Sequence, residues 1–141
     1  IEQYLEEYSG VNQYMQDIVE EAKEKGYSAT MFGRRRYIKE LSSNNYMVRE
    51  FGKRAAMNTP IQGTAADIMK IAMIKVYKEL QKQGLEAKIV LQVHDEMMIE
   101  APISEADKVE EILKSNMESA AKLEVPLVAE VSKAESWYDC K

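Results

Sequence analysis

This chain of 141 residues has very little of several residue types, and each shortage excludes a class of site. Its one cysteine, Cys140, excludes a disulfide within the chain and a cysteine-based zinc site. Its one histidine, His94, excludes a multi-histidine metal site. No apolar run approaches the ~18–20 residues that cross a bilayer, and no signal-peptide pattern opens the sequence. We therefore expect a cytoplasmic protein with no membrane partner.

The charges that are present are distributed unevenly. The whole chain carries a net charge of −5, yet residues 31–93 have twelve Lys and Arg against five acidic residues, a net charge of +7. A basic region of this size can hold a polyanion such as nucleic acid, although it is also typical of a solvated surface. The sequence begins at Ile1 without a methionine, so we expect a segment of something longer.

Hydrophobic spacing in the first half predicts helices and a small hairpin. Apolar residues recur every three or four positions over residues 4–22, which is typical of a helix, with a break at Ser9 and Gly10. Residues 27–38 change to an extended pattern punctuated by Gly33, which predicts two short strands.

Three consecutive arginines follow Gly33, at Arg34, Arg35 and Arg36. Each guanidinium offers a planar fork of donors, so such a turn is suited to binding phosphate or carboxylate groups. The alternative is an ordinary solvated turn.

The second half predicts another hairpin, a helix and a strand. Residues 88–101 are two apolar runs around a polar tip, which is typical of a β-hairpin. Ser104 is a candidate N-cap for the next helix, and residues 125–132 predict a final strand. Three apolar residues alternate before the hairpin tip: Ile89, Leu91 and Val93. The predicted fold class is α+β, with a small antiparallel sheet covered by long helices.

Two interpretations are open for the segment around Pro60. Thr59, Pro60 and Gln62 match a helix start, with a threonine cap, proline at the first position and glutamine three residues after the cap. If the helix continues through Pro60 instead, a spacing of four places Arg54, Asn58 and Gln62 on one face. These side-chain types hydrogen-bond base edges and sugars. Locally the cap is the stronger interpretation, and periodicity does not decide.

The hairpin tip carries His94, Asp95 and Glu96 where hairpins favour glycine or asparagine. Carboxylates on a rigid hairpin suit a hard divalent cation such as Mg²⁺, which prefers oxygen ligands. Neighbouring residues of an extended backbone point to opposite faces, so we expect Asp95 to be the ligand and Glu96 a weaker partner. A solvated turn is the alternative. One carboxylate is too few for chemistry that uses two metal ions ~4 Å apart.

Three long stretches of this sequence resemble family A DNA polymerases, the bacterial DNA polymerase I type. They occur in the family's order, and the third matches its third conserved motif: Gly33-Arg34-Arg35-Arg36-Tyr37, the run from Arg54 to Asp67, and Leu91-Gln92-Val93-His94-Asp95-Glu96. Pro126-Leu127 and Glu135-Ser136-Trp137 also fit the C-terminal end of the family. The resemblance covers essentially the whole chain.

The resemblance implies template-directed nucleotidyl transfer in DNA replication and repair. A primer 3′-hydroxyl would attack the α-phosphate of a dNTP with two Mg²⁺ ions and release pyrophosphate. By position, Asp95 would be the catalytic metal ligand, Glu96 would lie beside it, and His94 would lie near the primer terminus. Arg54, Asn58 and Gln62 would face the minor groove of the primer–template.

The resemblance also implies missing parts. The family needs a second metal-binding aspartate and a helix that binds the incoming dNTP, and neither is recognisable here. We therefore expect part of a polymerase domain, inactive alone, with residues 1–58 derived from the fingers and residues 59–141 from the palm. Its partners would be primer–template DNA, dNTP and the rest of the polymerase. The alternative is a non-catalytic module, derived from a polymerase palm, that binds nucleic acid or another partner.

Overall fold

The structure is a computed structural model that describes residues 7–140. It divides the chain into two compact units, Ile1–Asp67 and Ile68–Lys141. Both units combine helices with a two-stranded antiparallel sheet, so the α+β prediction is confirmed. The predicted helical pattern before residue 7 lies outside the described residues. No helix within residues 7–140 is long and apolar enough to cross a membrane.

The first unit begins with helix α1 (Ser9–Lys25) and the predicted small hairpin. The break predicted at Ser9 and Gly10 lies one residue earlier, because both of these residues are helical and the residue with a non-helical backbone is Tyr8. The hairpin consists of strands β1 (Tyr27–Ala29) and β2 (Arg35–Tyr37). Its turn contains Gly33 at φ 80°, a conformation that glycine adopts without strain.

A helix then runs on past Pro60. Helix α2 (Tyr46–Asn58) continues through a π-helical turn, Thr59–Gly63, into helix α3 (Thr64–Lys82). The helix-start interpretation is therefore wrong. The Thr59 hydroxyl does not cap a new helix but donates 2.7 Å back to the carbonyl of Ala55. Proline is tolerated because a π-helical turn opens the hydrogen-bond ladder at the point where proline has no N–H.

The core of the first unit lies between α1, the hairpin and α2. A short 3₁₀ helix, Lys39–Ser42, packs closely against α2, where a Cβ on Gly52 would lie only 3.0 Å from the backbone nitrogen of Leu41. The buried residues are small or aliphatic: Val19, Ala22, Ile38, Leu41, Ala55 and Ala56.

The second unit places the later part of α3 with a hairpin and a helix. Strands β3 (Lys88–Val93) and β4 (Glu96–Glu100) form the predicted hairpin, and helix α4 (Ala106–Glu118) follows. The apolar face of α3 packs with α4 and one face of the hairpin, and this core consists of Val76, Leu80, Ala87, Val109, Ile112 and Leu113.

The strand register of this hairpin corrects the predicted alternation. Ile89 pairs with Ile99, but Leu91 pairs with Met98, so Val90 is an extra residue on β3. Such a bulge moves the following residues to the other face. Ile89 therefore packs against the core of the unit, whereas Leu91 does not belong to it.

Two further predictions in the second unit are wrong. Ser104 makes no capping hydrogen bond for α4; instead the carboxylate of Glu105 accepts from the backbone N–H groups of Glu86 and Ala87. The predicted strand at residues 125–132 is absent from the described part of the chain, where this stretch has no regular element. Its backbone is held by other means, since the amide of Ala129 donates to a carboxylate oxygen of α4.

Candidate functional site

The tip of the β3–β4 hairpin is a two-residue turn made of His94 and Asp95. Val93 and Glu96 pair across the ends of the strands that flank it. His94 has φ 52° and is the only described non-glycine residue with a positive φ. A tight hairpin turn needs a residue in this conformation, and this turn has no glycine to adopt it. The side-chain amide of Gln92 donates 2.6 Å to the carbonyl of His94 and so holds the strained residue in place.

All three polar residues of the tip are exposed to solvent. Glu96 shares a strand face with Val93 and Met98, away from the residues that pack against the core of the unit. The carboxylates of Asp95 and Glu96 are oxygen ligands of the kind that a hard divalent cation binds. However, residues 7–140 contain no group of three ligating side chains, so the described chain does not complete a metal site.

The second candidate region is a helix face in the first unit. Arg54, Asn58 and Gln62 are all exposed, while Ala55 and Thr59 between them are buried. Because the helix continues through the π-helical turn, these three side chains lie in succession on the solvent-exposed side of one continuous helix. This is the interpretation that local sequence signals disfavoured.

Two arginines of the arginine-rich turn contact other residues of the first unit. The Arg34 guanidinium forms an ion pair with Asp67, at 2.7 Å from Nε to Oδ1, and also donates 3.0 Å to the carbonyl of Gly63. The Arg35 guanidinium lies 4.7 Å from the ring centroid of Tyr27. Arg34 is therefore neither a free phosphate-binding group nor simply solvated. The role of Asp67 was not predictable, because nothing local to a helical aspartate indicates a partner 33 residues earlier in the chain.

The predicted site residues fall into two groups. Arg54, Asn58 and Gln62 lie in the first unit, and His94, Asp95 and Glu96 lie in the second. Within each unit the structure brings its three residues onto one continuous element, a helix face in the first and a hairpin tip in the second.

A family model described as DNA polymerase family A matches residues 1–139 of this chain. The chain belongs to DNA polymerase family A. Its fold also matches a solved structure, the POL domain of Pol1 from M. smegmatis in complex with DNA primer-template and dNTP. The TM-score is 0.95 at 45% sequence identity, over 99% of this chain and 24% of that domain chain.

Curated members of the family with similar sequences include two bacterial enzymes named DNA polymerase I. The one from Caldicellulosiruptor bescii is 51% identical over all 141 residues, and the one from Bacillus subtilis is 50% identical over the same length. The chain spans only 17% and 16% of these two relatives. It therefore aligns with a small segment of each of them.

Proposed function

We propose that this chain forms part of the nucleotidyl-transfer site of a DNA-directed DNA polymerase that extends a primer with dNTPs. The observation that carries the proposal is the match over nearly the whole chain to a polymerase domain whose structure contains primer–template and dNTP. The exposed polar groups of both units support it, since a helix face with Arg, Asn and Gln suits a nucleic acid and an exposed carboxylate turn suits a cation.

At the hairpin tip, Asp95 would be the catalytic carboxylate and a ligand of Mg²⁺, with Glu96 beside it as a weaker partner. When bound, two such ions would stabilise charge on the attacking and leaving oxygens of phosphoryl transfer. Asp95 and Glu96 alone offer too few ligands, so the remaining ones would come from the parts of the polymerase that this chain does not span. His94 would lie near the primer terminus.

On the helix face, Arg54, Asn58 and Gln62 would bind the primer–template in its minor groove. The acceptors of the minor groove are nearly the same for all correct base pairs, so contacts there report base-pair shape more than sequence. The net charge of +7 over residues 31–93 would add attraction to the phosphates that does not depend on sequence.

In this proposal residues 1–58 belong to the fingers side of the domain and residues 59–141 to the palm. The dNTP would be held largely by groups outside this chain, and the isolated chain would be inactive.

The test uses a chimera in which the full chain replaces the matching segment of the M. smegmatis Pol1 polymerase domain. We expect the chimera to extend a primer and the Asp95→Ala chimera to lose that activity. Asp17→Ala is the matched control, because Asp17 is an exposed aspartate of α1 with the same charge. A folded chimera that binds DNA without extending primers, or an active Asp95→Ala variant, would contradict the proposal.

A second candidate function is a non-catalytic module that binds nucleic acid. The exposed helix face and the basic middle region favour it. It predicts salt-sensitive binding of labelled primer–template by the 141-residue chain alone, weakened by Arg54→Ala. Unchanged fluorescence anisotropy at low salt would exclude it.

A further inference from the structure

The π-helical turn, Thr59–Gly63, directly follows Asn58 and contains Gln62, so its geometry decides the position of Gln62 relative to Arg54. Proline at position 60 has no N–H to donate to the carbonyl of Ala56, four residues earlier. That carbonyl instead accepts a buried 3.0 Å hydrogen bond from the hydroxyl of Ser28 on strand β1. The hairpin thus provides the partner that proline removes from the helix.

The turn of the same hairpin forms hydrogen bonds with residues at and after the C-terminal end of the π-helical turn. The backbone N–H of Met31 donates 2.9 Å to the hydroxyl of Thr64, the first residue of α3. The Arg34 guanidinium donates both to the carbonyl of Gly63 and to the carboxylate of Asp67. Because the carboxylate side chain is only 11% exposed, this ion pair is partly shielded from water.

Gly63 allows this close approach. A Cβ at Gly63 would lie 2.7 Å from the methyl carbon of Thr30 and 3.4 Å from a terminal nitrogen of Arg34. Thr30 is buried, and its β-branched side chain has few alternative rotamers, so it cannot move away easily. The backbone of Gly63 is therefore in close contact with the hairpin turn, at the end of the π-helical turn that is farther along the chain from Asn58.

We infer that these contacts, made by Ser28, Met31, Arg34, Gly63, Thr64 and Asp67, act as a hairpin clamp that sets the position of Gln62 relative to Arg54 and Asn58. Arg34 is then a positioning residue for primer–template binding, and it acts through the π-helical turn without touching the DNA. This inference rests on the proposed role of the helix face. It assigns to one arginine of the turn a function in aligning that face.

Arginine is specifically suited to this role. Its planar fork places one donor on the Asp67 carboxylate and another on the Gly63 carbonyl, whereas a lysine ammonium offers a point charge on a flexible stem. Arg34→Lys should keep part of the attraction to Asp67 and lose the simultaneous contact with Gly63. The charge of the turn would be unchanged, so any loss of DNA binding in this variant reflects geometry.

The test measures primer–template affinity and the KM for dNTP in the chimera. We expect Arg34→Ala to weaken primer–template binding about tenfold and Arg34→Lys to weaken it several-fold, with the KM for dNTP little changed. The double variant Arg34→Ala/Gln62→Ala should be at most about twofold weaker than the weaker-binding single variant, because both act at the same contact. Lys25→Ala is the control, since it removes only the exposed pair with Glu21 on α1.

A second readout tests the clamp without DNA. Hydrogen exchange of the backbone amides of residues 61–64 should become faster in Arg34→Ala and remain unchanged in Lys25→Ala. Unchanged exchange in Arg34→Ala would overturn the clamp. Losses of affinity that multiply in the double variant, or full binding by Arg34→Lys, would overturn the positioning role. Unchanged binding by Gln62→Ala would instead contradict the proposed DNA contact, and with it the effect of Arg34 on affinity.

Discussion

The two candidate regions differ in how the chain holds them. The helix face in the first unit is backed by buried alanines and by the hairpin clamp, so its backbone is fixed from several directions. The hairpin tip in the second unit is an exposed two-residue turn that Gln92 holds through one side-chain hydrogen bond. The difference indicates that this chain preorganises its proposed DNA-binding surface by itself. The proposed metal ligand, in contrast, depends on groups that the described residues do not supply.

The largest expected effect comes from the hairpin tip and separates rate from affinity. In the chimera, Asp95→Ala should lower the rate of nucleotide incorporation roughly 10³-fold or more, since a lost metal ligand removes several kcal/mol of transition-state stabilisation. Glu96→Ala should lower it less. Primer–template affinity should change little in both variants. Single-turnover incorporation and DNA anisotropy measure the two quantities, and a larger loss in Glu96→Ala than in Asp95→Ala would reverse the proposed roles.

The next effect concerns the stability of the clamped region. Gly63→Ala should lower the free energy of unfolding by about 1–3 kcal/mol, because its methyl group would overlap the buried side chain of Thr30. Gly10→Ala is the matched control. Nothing lies within 4 Å of a Cβ at Gly10 on helix α1, so alanine there should be neutral or stabilise by about 0.5–1 kcal/mol. Urea denaturation compares them, and equal effects would show that the close approach at Gly63 is unimportant.

A smaller effect is expected on the exposed side of the same helix. Arg54→Ala should weaken binding of primer–template by about 1.5 kcal/mol, roughly tenfold, through loss of a charged donor. Its rate of incorporation at saturating DNA should stay close to that of the unsubstituted chimera. An affinity unchanged over a salt titration, or a rate loss comparable to that of Asp95→Ala, would remove the distinction between the two regions.

The smallest effect concerns the C-terminal segment, where Lys133 bonds to Asp107 and Glu110 of α4. The hydrogen bond from Lys133, and then its charge, lowers the pKa of Asp107 below the ordinary 3.8. A lowered pKa in the folded chain means that the contribution to stability is complete above pH 3.8 and is lost as the pH falls through the folded-state pKa.

Lys133→Ala should therefore lower the melting temperature slightly at pH 7, and this difference should shrink toward about pH 2 as Asp107 becomes protonated. Thermal unfolding of both proteins at the two pH values measures it. A difference that grows at low pH would show that the Lys133 contacts do not act as described.

Much of the fold was predictable because its signals are local. The extended pattern at residues 27–38 and the apolar runs at residues 88–101 predicted both hairpins, and the missing glycine at residues 94–95 indicated an unusual tip. The continuation through Pro60 was not predictable in this way. The carbonyl of Ala56, which receives no hydrogen bond from Pro60, accepts one from Ser28 on a strand 28 residues before Ala56. The local helix-start pattern was therefore misleading.

The other errors have the same origin. The bulge at Val90 results from the pairing of β3 with β4. The residues around it have the alternating pattern of a regular strand, so the sequence does not reveal the bulge. The predicted strand at residues 125–132 has the composition of a strand, yet Val125 and Val128 are mostly exposed and no described strand pairs with it. Strand formation depends on a neighbour, which composition does not reveal.

The most direct test of the account is primer extension by the purified 141-residue chain, beside the chimera, with Mg²⁺ and all four dNTPs. The central claim is that this chain supplies one catalytic carboxylate, Asp95, to a site completed elsewhere in the polymerase. The account predicts no extension by the chain alone, and extension by the chimera that is lost in Asp95→Ala. Extension by the chain alone that disappears in Asp95→Ala would contradict it, because the remaining metal ligands would then lie within these 141 residues.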